Sequence, residues 1–516
     1  MGNKLLFALL ASAAILACKP EEKKYGTYTP PEPPVSEDGL ATYMLCDFDT
    51  RTTTVEPVNC TYNMVDNPVK SGINTSAKVG KAVLKGGTWD CVLVEPTRPL
   101  VFLKDPAVFK VKVISPAVGR KVYMQVKSTY QDAPEKQMVF ATTTQAGKWE
   151  ELVFDFRSLN LVSNWYNKLY ILFDGNEKVP NAVWYFDDVW IPDDDISAQS
   201  LFKREGTTGM LMDGNKKYSW MSNSIANPGI LTPDESMDGE WWLYTRGGDG
   251  TYGSLGVFTQ SKQYFNPKGG WVYYDGNPIV PHGFHSTADG RSAIDPCPIV
   301  GDDGKLYLFY KGMSGNNVNT VLIATSTDGY HFTKVEKPWK ENCGVADVVK
   351  WNGSYYLFVS RRCYRFTNIL SGDDAVEFET VQRGDGPDGC DHYSINGQKL
   401  LHLDNKWFMI YQASPCHDDF PDRFHVAYSD DLEHWTKVQN HQPLFTRGAR
   451  GQWDQGAIWA PDTFEYNGNL IMYYEGWGQV GQVKNRDKKY FTPAHSAIGV
   501  ATCSKEDFLK WCGLAN

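Results

Sequence analysis

Ile294-Asp295-Pro296, Asp303-Gly304-Lys305-Leu306-Tyr307-Leu308-Phe309-Tyr310 and Ile323-Ala324-Thr325-Ser326-Thr327-Asp328-Gly329 with Phe332 form the stretch that decides the fold. An apolar-acidic start leads to a Gly turn and an aromatic-rich strand. A small-residue strand follows and ends in a polar turn. The segments are short and bounded by turn residues, which is a strand signature and not a helical period. The pattern recurs at Val345-Ala346-Asp347-Val348-Val349 with Asn352-Gly353 and Tyr355-Tyr356-Leu357-Phe358. A third copy runs from Cys390-Asp391-His392-Tyr393 through Trp407-Phe408-Met409-Ile410-Tyr411 to Val426-Ala427-Tyr428-Ser429. A fourth holds Trp459-Ala460-Pro461-Asp462, Asn467-Gly468 and Tyr473-Tyr474. A looser, earlier copy holds Asn227-Pro228-Gly229 and Asp238-Gly239-Glu240-Trp241-Trp242-Leu243-Tyr244. A lone copy has no neighbour against which to bury a sheet face. Five copies over about 310 residues therefore predict five radial sheets closed into a ring, a five-bladed β-propeller over 200–516.

Upstream, residues 40–196 carry strand-like runs such as Ala107 to Ile114, Lys121 to Lys127 and Val183-Trp184-Tyr185-Phe186-Asp187-Asp188-Val189-Trp190-Ile191. They predict a β-sandwich of jelly-roll type, so the expected class is all-β throughout. At the N-terminus, Lys4 precedes the apolar run Leu5 to Ala17, too short to span a bilayer and matched to an export signal. It ends Ile15-Leu16-Ala17-Cys18, so residues 1–18 read as a lipoprotein signal with Cys18 as the lipidated residue. Pro-rich 19–39 reads as a flexible tether. Membrane association is then by lipid alone, at the outer membrane, facing the cell surface or the periplasm.

The 516 residues carry 51 Lys+Arg against 61 Asp+Glu, a net −10, with no basic stripe. This argues against nucleic acid as a partner. Seventeen Trp and 28 Tyr fill β cores and also suit stacking on sugar rings. Eleven Cys, with Cys18 set aside, fall as three early and seven late, so neither part can pair its own set completely. Mostly free, buried thiols are expected.

Asp-Pro followed by Gly and Tyr-Leu-Phe-Tyr, together with Trp-Ala-Pro-Asp followed by Asn-Gly and Tyr-Tyr, resembles the five-bladed propeller glycoside hydrolases. Family 43 and its relatives, families 32, 62 and 117, are the nearest in pattern. The Cys46-Asp47-Phe48-Asp49 opening, the Asn67 to Ser76 segment and the Tyr185-Phe186-Asp187-Asp188-Val189 closing resemble carbohydrate-binding-module-like, galactose-binding-like domains. The N-terminal run and the charges after Cys18 resemble surface lipoproteins of Bacteroidetes. The resemblance implies hydrolysis of a plant or algal polysaccharide or oligosaccharide by paired carboxylates, with no catalytic cofactor. It also implies a structural calcium held by Asp47, Asp49 and Asp187, since hard cations take several oxygens. A non-catalytic glycan-binding lipoprotein and another carbohydrate-active enzyme on the same ring are the alternatives.

Inner strands point into the axial funnel, so the repeat-start acids Asp295, Asp347, Asp391 and Asp462 are the catalytic candidates. In one register Asp295 is the general base, Asp347 tunes the acid, and Asp391 or His392 stands where a Glu is expected. In the other, Asp462 lies between Asp391 and Glu235. His285, Arg291, His392, Trp459, Glu475 and Trp477 are the substrate-binding candidates, with His282, Trp453 and Arg361-Arg362 behind them. Acids of Asp303-Gly304, Asp328-Gly329 and Asp430-Asp431 are assigned to outer turns.

Overall fold

A computed structural model describes residues 43–50, 53–96, 100, 107–128, 135–159, 161, 166–175, 177–192, 197–387, 390–392, 394–414, 421–449, 452–478 and 496–514. Cys18, the tether 19–39 and Cys416 lie outside the described residues.

The N-terminal part is a sandwich of two antiparallel sheets. One orders the strands Cys60–Asp66, Lys78–Leu84, Val183–Ile191, Val108–Ile114 and Trp149–Asp155, with Tyr43–Cys46 added beside Val183–Ile191. The other orders Val55–Val58, Cys91–Val94, Lys168–Phe173, Lys121–Lys127 and Gln137–Thr142. Alternate residues of the two inner faces make the core. Val122, Met124 and Val126 meet Phe109, Val111 and Val113 around Trp184, Phe173 and Phe186. Period-two burial of this kind is what fixes strand register.

The remaining sheets form five blades. Their inner strands are Ser224–Leu231, Ser292–Val300, Asp347–Trp351, Ser394–Leu403 and Ala457–Tyr466. Each pairs antiparallel with a second strand, which pairs with a third. The first two blades share a single parallel bridge, Gly253 to Ser292. Lys203–Arg204, the segment that enters the ring, pairs with Ser496–Ser504 and so supplies the outer edge of the last blade. First and last segments in one blade lock the ring shut.

Turn chemistry sets the blade register. Asn352-Gly353 and Asn467-Gly468 both have positive φ at each residue, the conformation of a two-residue hairpin turn. Counting from the turn residues Gly239, Gly304, Gly353, Asn405 and Gly468, the fifth residue faces the inner strand at Gly229, Cys297, Asp347, Lys399 and Asp462. These five therefore share one layer of the ring.

Four inner strands carry a bulge two residues earlier, at Asn227-Pro228, Asp295-Pro296, Gly397-Gln398 and Ala460-Pro461. The first residue of each pair has φ between 47° and 55°. Proline suits the second place, because a looped-out residue needs no ladder N–H. Pro296 thus marks a bulge within its strand. Nine described cysteines are free, and all but Cys343 are buried.

Candidate functional site

The bulges build a cavity of about 350 Å³ at one mouth of the ring. All five blades contribute to its wall, through Asn227, Asp295, Ala346, Asn396 and Trp459 among others. The seventh residue after each turn supplies an outer circle: Arg246, Lys311, Ser360, Gln412 and Glu475. Asp295 is brought there by its left-handed backbone, a state costing about 1–3 kcal/mol for a non-glycine residue and one that Asp tolerates better than most. Its Oδ2 lies 2.5 Å from Lys311 Nζ, and both side chains are about one-fifth exposed (22% and 23%).

Glu475 stands in the last blade, with the first blade between it and Asp295, and is only 3% exposed. Its Oε2 accepts from Asn227 Nδ2 at 2.7 Å and its Oε1 from Trp477 Nε1 at 2.6 Å. Arg246 Nη2 lies 3.7 Å away. Burial raises the Glu475 carboxyl above its ordinary range and the charge of Asp295 adds to the rise, with Arg246 opposing. Trp477 stacks against Trp459 at 5.4 Å and 28°, beside the cavity wall.

Below the bulges the shared layer is a buried polar plug. Lys399 Nζ lies 3.7 Å from Asp347 Oδ1 and 3.6 Å from Cys297 Sγ. Asp347 Oδ2 accepts from Leu400 N at 2.8 Å, and Asp462 Oδ2 accepts from Ile230 N at 2.8 Å. Cys297 Sγ donates to Ala346 O at 3.3 Å. Each side chain thus reaches the next blade and stitches the ring. Burial pushes the Asp462 carboxyl up to about 7 despite nearby Lys399. At Gly229 a Cβ would stand 2.3 Å from Pro296 O, so the first two blades close tightly at this level. Removing the cation of a buried pair typically costs about 3–5 kcal/mol. Lys399→Met is expected to lower stability by that order in denaturant melts at neutral pH. The loss should shrink on acidification, as protonation relieves Asp347 and Asp462.

Asp347 and Asp462 thus lie deeper than Asp295, in the plug, and there they line the cavity of the opposite mouth together with Glu235. Counted from the bulge, Asp462 matches Cys297 and Lys399, not Asp295. Asp391 lies away from the Asp295 wall as well. It is wholly buried ahead of its inner strand, where Oδ1 accepts from Gly384 N and Gly386 N at 3.1 and 3.0 Å. Its Oδ2 takes Tyr411 Oη at 3.3 Å and Lys437 Nζ at 2.6 Å. The same triad recurs as Asp289 with Tyr310 and Lys334, and as Asp454 with Tyr474 and Arg204. An arrangement repeated in three blades pins loops and is a property of the fold.

Glu235 is exposed and caps its own turn, accepting from Thr232 N and Oγ1 at 3.1 and 2.8 Å. It lines a separate cavity of about 920 Å³ at the opposite mouth, formed by inner-strand ends such as Leu231, Val300 and Leu401. The plug divides it from Asp295. Exposed His285 rests against Gly315, Arg291 bonds Asn317, and His392 is exposed beside Asp391. None of the three lines the cavity around Asp295. Arg362 pairs with Glu377 on an outer strand, and Trp453 Nε1 donates to Thr208 O. Asp328 and Asp431 accept backbone N–H groups of their own turns, as turn carboxylates do.

The carboxylates expected to hold calcium do not fit one. Asp47 Oδ1 accepts from Asp49 N and Thr50 N, and Asp49 takes Ala77 N and Lys78 N. Asp187 is fully buried and accepts from Asn74 Nδ2 at 2.8 Å and Asp188 N at 2.9 Å. Their oxygens already serve N–H donors, and no group of three or more metal-ligating side chains converges among the described residues.

Sequence reasoning missed Lys311, Arg246, Gln412, Asn319 and the plug lysine Lys399. Turn-plus-seven spacing was the signal that would have found the first three.

Fold and cavities define an all-β protein, a sandwich joined in sequence to a five-bladed ring with a cavity at each mouth. Neither a family model nor a curated protein matches the chain. Among solved structures, a glycosyl hydrolase from Bacteroides ovatus is similar over 59% of this chain and 93% of its own, at 16% identity and TM-score 0.44. An N-acetylgalactosamine deacetylase from F. plautii in complex with blood group B trisaccharide is similar over 60% and 97%, at 13% identity and TM-score 0.46.

Proposed function

We propose that this protein is a carbohydrate-active enzyme that hydrolyses glycosidic bonds of a plant or algal polysaccharide or oligosaccharide. The observation that carries the reading is a set of two carboxyl groups with opposite environments at the same end of the ring, Asp295 in the cavity wall and Glu475 behind it against the wall residue Asn227. Asp295 is partly exposed in the cavity wall with its Oδ2 2.5 Å from Lys311 Nζ, where a carboxyl group can reach a water and take its proton. Burial raises the Glu475 carboxyl above its ordinary range, against Arg246 and Trp477 and with a smaller push from Asp295, which is the direction a donor to the leaving oxygen needs. Trp459 and Trp477 offer a stacking face beside them. Turnover by the full chain across a panel of plant and algal glycans tests the reading, and absence of turnover on all of them would count against it.

A second reading, a glycan-binding surface protein without catalysis, draws on a specific fact. Among the described residues Asp295 is the only carboxylate in the cavity wall itself. Binding without turnover by the wild-type protein would favour it.

The site is proposed to act outside the cell on a chain tethered through a lipid on Cys18. Cys18→Ala is expected to abolish incorporation of a labelled fatty acid and release the protein from membranes. Labelling that persists in the variant would sink the anchor. Residues 40–196 are proposed as a separate sandwich domain that either binds glycan or spaces the ring from the membrane.

A further inference from the structure

The cavity at the Asp295 mouth is blind. Its base is made by Pro228, Pro296 and Lys399, and the plug of Lys399, Asp347, Asp462 and Cys297 separates it from the opposite cavity. A polymer cannot thread along the axis, so a sugar reaching the base must be a chain end. The charges on the wall are matched. Lys311 is engaged by Asp295 and Lys399 by Asp347, and Arg246 behind the wall faces Glu475. No cation among the described wall residues is left over for an anionic substituent. What remains is neutral. Asn319 Oδ1, Gln412 Oε1 and Trp459 Nε1 are buried without a hydrogen-bond partner among the described residues, and all three side chains belong to the wall. Gln412 is only 2% exposed and lies over Gly397, where a Cβ would meet its amide at about 2 Å. Its aim is therefore fixed by the bulge, and a buried amide oxygen held there calls for a donor.

We infer that the cavity takes the terminal, uncharged glycosyl unit of a glycan, with Gln412 and Asn319 reading its hydroxyls. This rests on the proposed glycan-processing role and adds the substrate class and the mode of attack. Neutral sugars are recognised by uncharged donors and acceptors. A uronic acid would bring a carboxylate into a wall whose cations are spent, beside Asp295, at the cost of desolvating it unpaired.

Calorimetric titration of the full chain with neutral monosaccharides (arabinose, xylose, galactose, mannose, glucose) and with galacturonic, mannuronic and glucuronic acids tests the inference. At least one neutral sugar is expected to bind, and the acids about tenfold more weakly or less. Gln412→Ala should weaken that neutral sugar by about tenfold, because its donor loses a buried partner. Equal or tighter binding of a uronic acid, no binding of any monosaccharide, or unchanged binding in a folded Gln412→Ala would overturn it. The wild-type comparison of neutral against acidic sugars stands even if the variant fails to fold. Products are followed separately: single terminal units from the first time point support end-directed attack, and early mid-length fragments overturn it. Monosaccharide binding without turnover on any glycan would instead defeat the proposed hydrolysis and leave the recognition of a neutral end in place.

Discussion

Asp295→Asn is expected to cut turnover by about 10²–10⁴-fold while sugar binding changes little, the usual loss for one general base. The fold has a built-in reason to accept the change. Asn227 occupies the same bulge position in the first blade, with φ 48° against 53° for Asp295. Asparagine is among the residues best able to adopt that conformation. The substitution keeps the shape and removes the group that takes the proton, and it frees Lys311, which is partly exposed and can be solvated. Asp328→Asn is the matched control. Its carboxylate accepts from Tyr330 N and His331 N on an outer turn, so it should unfold somewhat earlier and keep near-full activity. The comparison is kcat of both variants on whichever glycan the wild type cleaves, with a melt of each. Full turnover in Asp295→Asn would remove the base from this bulge. Asp391 could not replace it, buried as it is between Tyr411 and Lys437.

The architecture was legible because it repeats. Four of the five turn-and-strand units carry an Asn-Gly or Asp-Gly turn and the fourth has Asp404-Asn405 in its place, but all five have an aromatic run, and their alternation gives strands without any knowledge of long-range contacts. The sandwich was legible for the same reason, through period-two burial. The depth of each acid along the axis was not. Asp-Pro and Ala-Pro-Asp look alike as strings, yet the acid precedes the proline in one and follows it in the other. Across a bulge that difference moves a carboxylate from the cavity wall into the plug, as Asp295 and Asp462 demonstrate. Asp391 was misplaced for a related reason. Its Cys-Asp-His setting stands where the other copies begin, but the true bulge of that blade, Gly397-Gln398, contains neither an acid nor a proline. Lys399 carries no motif at all, and only the shared layer gives it meaning.

Glu475→Gln is expected to separate two substrates that the wild type treats alike. If Glu475 protonates the departing oxygen, its loss should slow natural glycans by about 10²–10⁴-fold. Aryl glycosides with an acidic phenol need little protonation and should be slowed far less. The pH profile carries a second signature. A proton donor works only while protonated, so activity falls as pH rises through its folded pKa. Burial and the charge of Asp295 hold that pKa above the ordinary carboxylate range, which moves the alkaline limb of the wild type upward. In Glu475→Gln that limb should vanish from the residual activity on aryl glycosides, because the group that titrates is gone. A purely positioning role predicts something else. Glu475 also accepts from Asn227 and Trp477 through separate oxygens, and an amide there can keep only one of the two contacts, whatever the substrate. Equal slowing of natural and aryl glycosides, with the alkaline limb unchanged, would assign Glu475 to holding the wall and send the search for the proton donor elsewhere.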